Sequence, residues 1–485
     1  MSDSPELERA GPGELAGRQV VVLGLGLFGG GAGAARWALE RGAHTVVTDL
    51  RTEEELQPSI ESLHAYDGAH GAARLSFTLG RHDDHELASA DLVIVNPAVP
   101  PHAPSIAAAR RGGAQVTTAI ALLLKSTRAR VVAVTGTHGK SSTARFIATL
   151  AESTLKSGTR VALGGNIGGS LLHGHRALGP DDVLVLELSS YQLEHLPRSV
   201  ERVLDGAVIT QLGVDHIARH STVANYHAAK LRVFDYLVDG GFAVVDESVT
   251  EEQVLERQAR VSLARRAPGG KLEIDPATQE VRLDGQPLGS GRDLAAEGAH
   301  QKRNLALALA TVRFLGAPAD ALARAVRKLA PPPHRIEPLG LHRSPGAAPF
   351  VVFDNGVSTT PESTLGAMEA LGHSTRPPRV LLAGGQSKRG LELRQIAQYA
   401  EHHDWMLFGF GASAGEFEAG AAGTTLEEAL ERAVAALNNG GCLLFSPACA
   451  SFDGYANFQE RAQAFRSALG HIASPLSALA ESARD

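Results

Sequence analysis

Val131-Val-Ala-Val-Thr-Gly-Thr-His-Gly-Lys-Ser-Ser142 sets an apolar, β-branched run against Gly139-Lys140-Ser141-Ser142. A strand that breaks at glycine and resumes as a helix turns backbone N–H groups and the positive end of the helix dipole toward one spot. The lysine adds a compact positive charge, and the hydroxyls can reach a hard cation. The string therefore reads as a phosphate loop in which Gly136, Thr137, His138, Gly139, Lys140, Ser141 and Ser142 hold a nucleotide polyphosphate. It is shorter than the G-x-x-x-x-G-K-[ST] pattern, whose first glycine would fall on Val134.

Strand–helix alternation extends on both sides and predicts an α/β fold with parallel sheets. Before the loop lie the runs Gln19–Gly24, His44–Thr48 and Asp91–Val95. After it come strands at Val183–Leu188, Ala207–Thr210 and Phe242–Val245, with helices near Tyr226–Leu237 and Asn304–Leu315. Short alternating patches between 262 and 295 read as a small antiparallel excursion. Pro331-Pro332-Pro333 marks a boundary, because a proline run stiffens the chain and ends a helix. Beyond it, strands at Phe350–Asp354, Arg379–Leu382, Trp405–Phe408 and Cys442–Phe445 form a further Rossmann-like unit, and the tail after 472 reads as a frayed helix or disordered. Three domains are expected: 1–118 Rossmann-like, 119–330 carrying the phosphate loop, and 331–485 Rossmann-like. A chain of 485 residues is too long for one core.

A net charge of −7 argues against general affinity for nucleic acid, which needs a basic face. Two cysteines, no apolar leader and no window of 18 apolar residues predict a cytoplasmic protein with no membrane segment.

Gly24-x-Gly26-x-x-Gly29 followed by Asp49 matches the dinucleotide fingerprint. NAD, another nucleotide and a purely structural turn all fit it, and the second nucleotide motif downstream weighs against NAD. Glu187 ends an apolar run, where a carboxylate faces the ligand crevice of a parallel sheet and can take Mg²⁺. His216, beside Asp215 at the next strand end, can complete a metal shell, position an incoming amine or serve structure. Lys230, in an alanine-rich helical stretch, reads by pattern as a surface lysine. Arg81-His-Asp-Asp-His85-Glu86 looks like a metal cluster, but adjacent residues on a turn diverge. Cys449 reads as a small packed residue.

Taken together, Thr135–Ser142, Gly165-Asn166-Ile167-Gly168, Glu187-Leu-Ser-Ser-Tyr-Gln-Leu193, Asp215-His216, Tyr226-His-Ala-Ala-Lys230 and His334-Arg335-Ile-Glu337 resemble the Mur ligases, from about residue 18 to 470. These enzymes use ATP to add amino acids to the muropeptide precursor. The ending Phe445–Arg461 is similar to the member that joins glutamate to UDP-N-acetylmuramoyl-L-alanine. The resemblance implies a UDP-binding first domain, a central ATPase-like domain and a last domain for the amino acid. It implies peptidoglycan synthesis through an acyl phosphate, with ATP and Mg²⁺ and most simply as a monomer.

By resemblance, Lys140 neutralises phosphate, Ser141 or Ser142 reaches Mg²⁺, and Glu187, His216 and a carbamylated Lys230 hold metal. Asn304 and Arg335 contact ATP. Leu27, Phe28 and Asp49 hold the UDP end, Asn166 contacts the nucleotide-sugar or the transferring phosphate, and Thr359, Lys388, Ser451 and Phe458 receive glutamate. The chain departs from the family at Asp354-Asn-Gly-Val-Ser-Thr-Thr360, where Val357 replaces a lysine, and at Gln301 and Ala462. That string leaves the stereochemistry of glutamate open, with D-glutamate the family default. The rival readings are a ligase for another amino acid, an NAD-dependent dehydrogenase using Gly24–Gly29, and a non-catalytic nucleotide sensor.

Overall fold

The computed structural model describes residues 7–9 and 13–476, except Phe28, 71–73, 168–171, 173–177, 201–202, 247, 251–252, 254–264, 269–271, 275–279, 284–285, 291–298, 327–328, 330–332, 373–374, 388–391 and 418–422. The chain forms two compact units, Met1–Arg292 with Arg303–Arg327, and Asp293–Lys302 with Lys328–Asp485.

The first unit carries two parallel sheets. In one, β1 (Gln19–Leu23), β2 (His44–Asp49), β3 (Leu75–Leu79), β4 (Leu92–Val95) and β5 (Gln115–Thr117) take the order β3-β2-β1-β4-β5. Its helices are α1 (Gly30–Glu40), α2 (Glu53–His70), α3 (Asp84–Ser89) and α4 (Pro104–Gly112). The order reverses beside β1, so the crevice at its C-terminal end is where an open α/β sheet binds ligands. The Gly24–Gly29 turn leaves β1 at that end. Asp83, in the apparent metal cluster, instead caps α3 by accepting the N–H groups of His85 and Glu86.

The next helix, α5 (Ala119–Ser126), explains why two predicted domains share a unit. Its sequence Ala-Ile-Ala-Leu-Leu-Leu is apolar all round, and Ile120 to Leu124 are buried in a core that also contains Val20, Trp37, Val131 and Leu184. Thr118, the predicted boundary, caps this helix through the N–H of Ala121 at 3.1 Å.

The second sheet is built from β6 (Arg130–Thr135), β7 (Val161–Gly165), β8 (Val183–Glu187), β9 (Leu204–Ile209), β10 (Leu237–Val245) and β11 (Arg265–Pro268), in the order β11-β10-β9-β6-β8-β7. Its central strands are buried on both faces, hence their unbroken apolar runs. Helices α6 (Lys140–Thr154), α7 (Ser190–His195), α8 (Ile217–His220) and α9 (Val223–Leu231) connect them. The helix expected through Leu237 stops at Leu231, tightens to a 3₁₀ turn over Arg232–Tyr236, and passes into β10 at Leu237. Arg232 and Tyr236 anchor that turn on the carbonyl of Leu196. The antiparallel excursion is present as β12 (Leu272–Ile274), β13 (Glu280–Leu283) and β14 (Gln286–Ser290).

In the second unit, β15 (Glu337–Arg343), β16 (Phe350–Asp354), β17 (Arg379–Gly384), β18 (Trp405–Phe410), β19 (Gly441–Ala448) and β20 (Ser474–Pro475) take the order β18-β17-β19-β16-β15-β20. The four predicted strands are parallel, whereas β15 and β20 add an antiparallel edge. Residues just after 472 are thus paired, not frayed; 477–485 and most of the Pro331–Pro333 boundary lie outside the described residues. Cys449 is buried, as its packed reading requires. Among the described residues, no helix is long and apolar enough to cross a membrane.

Candidate active site

The site begins where β6 ends. Gly136 (φ 146°) and Gly139 (φ 83°) hold backbone conformations that side chains disfavour. A Cβ on Gly136 would lie 1.9 Å from Thr210 Oγ1, and one on Gly139 would lie 2.1 Å from Asn304 Oδ1. Neighbouring strand ends brace the loop. Thr137 donates its N–H to Gln211 O at 2.8 Å, Thr137 Oγ1 accepts from the N–H of Gly213 at 2.9 Å, and Thr210 Oγ1 donates to His138 O at 2.6 Å. Lys140 opens α6 and folds its ammonium over the loop, 3.1 Å from Gly136 O and 2.9 Å from Thr137 O. Ser141 is half-buried and Ser142 fully buried on the first turn.

Glu187 ends β8 next to the loop strand and is 2% exposed. Its Oε1 accepts from Asn166 Nδ2 at 3.1 Å, and its backbone carbonyl accepts from Asn166 N at 2.9 Å. The string after Glu187 turns the chain at once into a helix. Ser189 and Gln192 form a reciprocal capping box at the start of α7.

Lys230 overturns its pattern-based reading. It is 1% exposed, donates to the carbonyl of Gly136, and lies 4.5 Å from the Tyr226 ring centroid. Tyr226 precedes it by four residues and so shares its helix face. Burial, and then the Lys140 ammonium, push the Lys230 amine down to about 7, against the pull of Asp215 and Glu187. His216 caps α8 at φ 52°, a region His enters more readily than most residues. Its ring packs on Tyr191, 5.1 Å between centroids, with the Tyr191 hydroxyl 3.4 Å from Nδ1. The phosphate loop, Asn166, Glu187, His216, Lys230 and Asn304 thus belong to one unit.

A buried polar atom without a partner is costly. Among the described residues, Thr135 Oγ1, Ser142 Oγ, Thr143 Oγ1 and Glu187 Oε2 are buried without a hydrogen-bond partner. Hard oxygen donors of this kind, beside a lysine and a helix N-terminus, fit a polyphosphate with Mg²⁺.

At the first sheet, Leu27 is 48% exposed and Phe28 lies outside the described residues. Asp49 shapes the glycine turn: its Oδ2 accepts from the N–H groups of Leu25 (2.9 Å) and Gly26 (3.1 Å), and Oδ1 from Arg51 (3.0 Å). A carboxylate has about four acceptor positions, so three local bonds leave capacity for a ligand.

In the second unit, Ser451 is 3% exposed after β19, Phe458 opens the helix Phe458–Ile472, and Thr359 precedes the helix Pro361–Gly372. Lys388 lies outside the described residues. Arg335 sits between two left-handed residues, His334 (φ 59°) and Ile336 (φ 52°). His334, Glu337 and Asp354 converge closely enough to suggest a metal. Arg466 already supplies the cation, with Nε 2.8 Å and Nη2 2.6 Å from Asp354 Oδ2 and Nη2 2.5 Å from Glu337 Oε2. Arg466 belongs to no motif and was not legible in advance.

Comparison with known proteins agrees with this geometry. The description "Mur ligase MurD-like, N-terminal domain" matches residues 18–118, and "Mur ligase middle domain" matches 134–311. The UDP-N-acetylmuramoylalanine–D-glutamate ligase of Geobacter metallireducens is 31% identical over 95% of this chain and 98% of its own. That of Symbiobacterium thermophilum is 31% identical over 93% and 97%. Two solved structures share the fold. MurF ligase from Thermotoga maritima in complex with ADP has TM-score 0.54 and 16% identity, covering 97% of this chain and 100% of that one. MurF from Acinetobacter baumannii has TM-score 0.55 and 15% identity, covering 92% of each. With near-full-length identity of 31% and both domain descriptions matched in order, the chain belongs to the Mur ligase family.

Proposed function

We propose that this chain is an ATP-dependent ligase that joins D-glutamate to UDP-N-acetylmuramoyl-L-alanine in peptidoglycan precursor synthesis. The observation that carries the proposal is the buried Lys230 amine held on the carbonyl of Gly136 in a phosphate loop, with a buried Glu187 carboxylate oxygen in the same unit that lacks a donor. The relatives named above bear this activity in their names, over nearly their full length.

A carboxylate is a poor electrophile. Transfer of the γ-phosphoryl group to the alanine carboxylate gives an acyl phosphate. The glutamate amine then attacks that carbonyl and inorganic phosphate leaves. Catalysis of this type rests on positioning and charge neutralisation. Lys140 and the backbone N–H groups of Gly136–Ser142 hold the polyphosphate, and Asn304 and Arg335 contact ATP. Leu27, Phe28, Asp49 and Asn166 receive the UDP-sugar, while Thr359, Lys388, Ser451 and Phe458 receive glutamate. Residues 1–118, 119–330 and 331–485 are the corresponding domains of a cytoplasmic, monomeric enzyme.

Ser141 or Ser142, with Glu187, His216 and Lys230, would hold Mg²⁺, and the buried, unpartnered Ser142 hydroxyl supports the second serine. Mg²⁺ bound there neutralises phosphate charge during transfer. A lysine amine that is about half neutral near pH 7 can add to CO₂, and the resulting carbamate replaces an ammonium with an anion suited to a hard cation. The dehydrogenase alternative is not favoured, since the chain belongs to a ligase family.

The test is ADP release by the purified chain with UDP-N-acetylmuramoyl-L-alanine, ATP and either glutamate enantiomer. D-glutamate is expected to give the higher kcat/KM by at least about 10-fold, the size of one well-placed charged contact. Preference for L-glutamate would overturn the stereochemical assignment, and turnover with neither would overturn the proposal.

A further inference from the structure

Arg219, on the short helix that follows His216, has no part in the scheme above. Its side chain is 12% exposed, and every polar end of its fork is used. Nη1 donates to Ala98 O at 3.1 Å, Nη2 to Val99 O at 3.0 Å, and Nε to Glu194 Oε2 at 3.1 Å. The Tyr191 ring lies under the guanidinium, 4.8 Å from centroid to carbon. His195 Nε2 adds a second donor to Val99 O at 2.6 Å; since a carbonyl only accepts, that nitrogen carries the proton.

The two ends of this clasp lie at different sites. One is the segment after β4, where Asn96 and Pro97 line a cavity with Gly24, Gly30 and Gly31. Asn96 ties that segment to the glycine turn, donating from Nδ2 to Gly24 O at 3.2 Å. There is no slack, because a Cβ on Gly24 would lie 2.8 Å from Asn96 Cβ. At the other end, the Tyr191 ring that carries Arg219 also packs on His216. Main-chain carbonyls diverging from one loop suit a planar fork with fixed donor directions, which a lysine point charge does not reproduce.

We propose that Arg219 is a positioning residue: it clamps the Asn96–Val99 wall of the nucleotide-sugar site onto the helix that begins at His216, holding the sugar-linked carboxylate in register with the phosphate loop. The inference rests on the ligase reading above. Glu194 acts through it, as the anion that fixes the third arm of the fork.

The test uses the full chain and direct calorimetric binding of UDP-N-acetylmuramoyl-L-alanine and, separately, of ADP. Arg219→Met keeps the stem and loses the fork. Its affinity for the UDP-sugar should fall at least about 10-fold, as loss of two or more hydrogen bonds predicts, with ADP affinity within about two-fold of wild type. In steady state the KM for the UDP-sugar should rise while that for ATP stays put. Arg219→Lys, which keeps the charge, should lose at least about three-fold, roughly one such bond. Glu194→Gln should weaken wild type but add nothing in the Arg219→Met background. Wild-type UDP-sugar affinity in either Arg219 variant would overturn the proposal, and so would a parallel loss of ADP and UDP-sugar affinity, the mark of general loosening. Failure of the unsubstituted chain to bind UDP-sugar at all would instead remove the ligase reading, and this inference with it.

Discussion

Burial and a neighbouring ammonium act on Lys230 in the same direction, and that pairing is what makes the residue useful. A lysine held near 7 is neutral often enough to react with CO₂ at physiological pH, which an ordinary surface lysine is not. Lys230→Ala should lose nearly all ligase activity, and millimolar formate or acetate should partly restore it by supplying a carboxylate in the vacated space. Full activity in the plain variant would refute the carbamate. The same shift has a sign in stability. Between about pH 7 and the usual lysine range, the unfolded chain binds a proton that the folded chain has released, so stability rises with pH across that window. In CO₂-free buffer, denaturant unfolding should show wild type gaining on Lys230→Met by up to about 1.4 kcal/mol per pH unit there, with no such gain below pH 7. A flat difference would contradict the buried, uncharged state.

Elements were legible in proportion to how completely they are buried. β1, β6, β8 and β19 are covered on both faces and read directly as apolar runs. β7 (Val-Ala-Leu-Gly-Gly) and β15 (Glu-Pro-Leu-Gly-Leu-His-Arg) sit at or near sheet edges, where glycine and proline are tolerated, and carry no such run. Motif residues came out on the same terms. The phosphate loop and Glu187 announce themselves because strand, turn and helix are contiguous. Lys230 needed the family resemblance, since its burial comes from distant chain. Arg219 and Arg466 had no local signal, because the carbonyl partners of Arg219 and the partners of Arg466 lie 112 to 132 positions away. At this scale Arg466 makes the sharper stability prediction. It joins the helix Phe458–Ile472 to β15 and β16 through Glu337 and the fully buried Asp354. Arg466→Met removes the guanidinium from that carboxylate, leaving it His334 and the N–H of Gly356, and should cost roughly 2–3 kcal/mol of unfolding free energy, read as a lower denaturant midpoint at unchanged slope. An unchanged midpoint would show that solvent screens the pair.

Across the whole molecule, the proposed function divides labour between two glycine turns, each at the C-terminal end of a parallel strand and each shaped by neighbours that forbid a side chain. The turn after β6 is assigned to the triphosphate, that after β1 to the UDP-sugar. Lys140→Ala should therefore abolish phosphate transfer while leaving UDP-sugar affinity within about two-fold, because its ammonium is folded onto the carbonyls of its own loop, Gly136 and Thr137. Collapse of both would mean the two sites are not separable. The most direct measurement of the account is inorganic phosphate release by the purified chain with Mg²⁺–ATP. Release should require UDP-N-acetylmuramoyl-L-alanine and glutamate together, match the amount of new amide bond one to one, and vanish in Lys140→Ala. No phosphate from the complete mixture, or release that ignores both substrates, would contradict it.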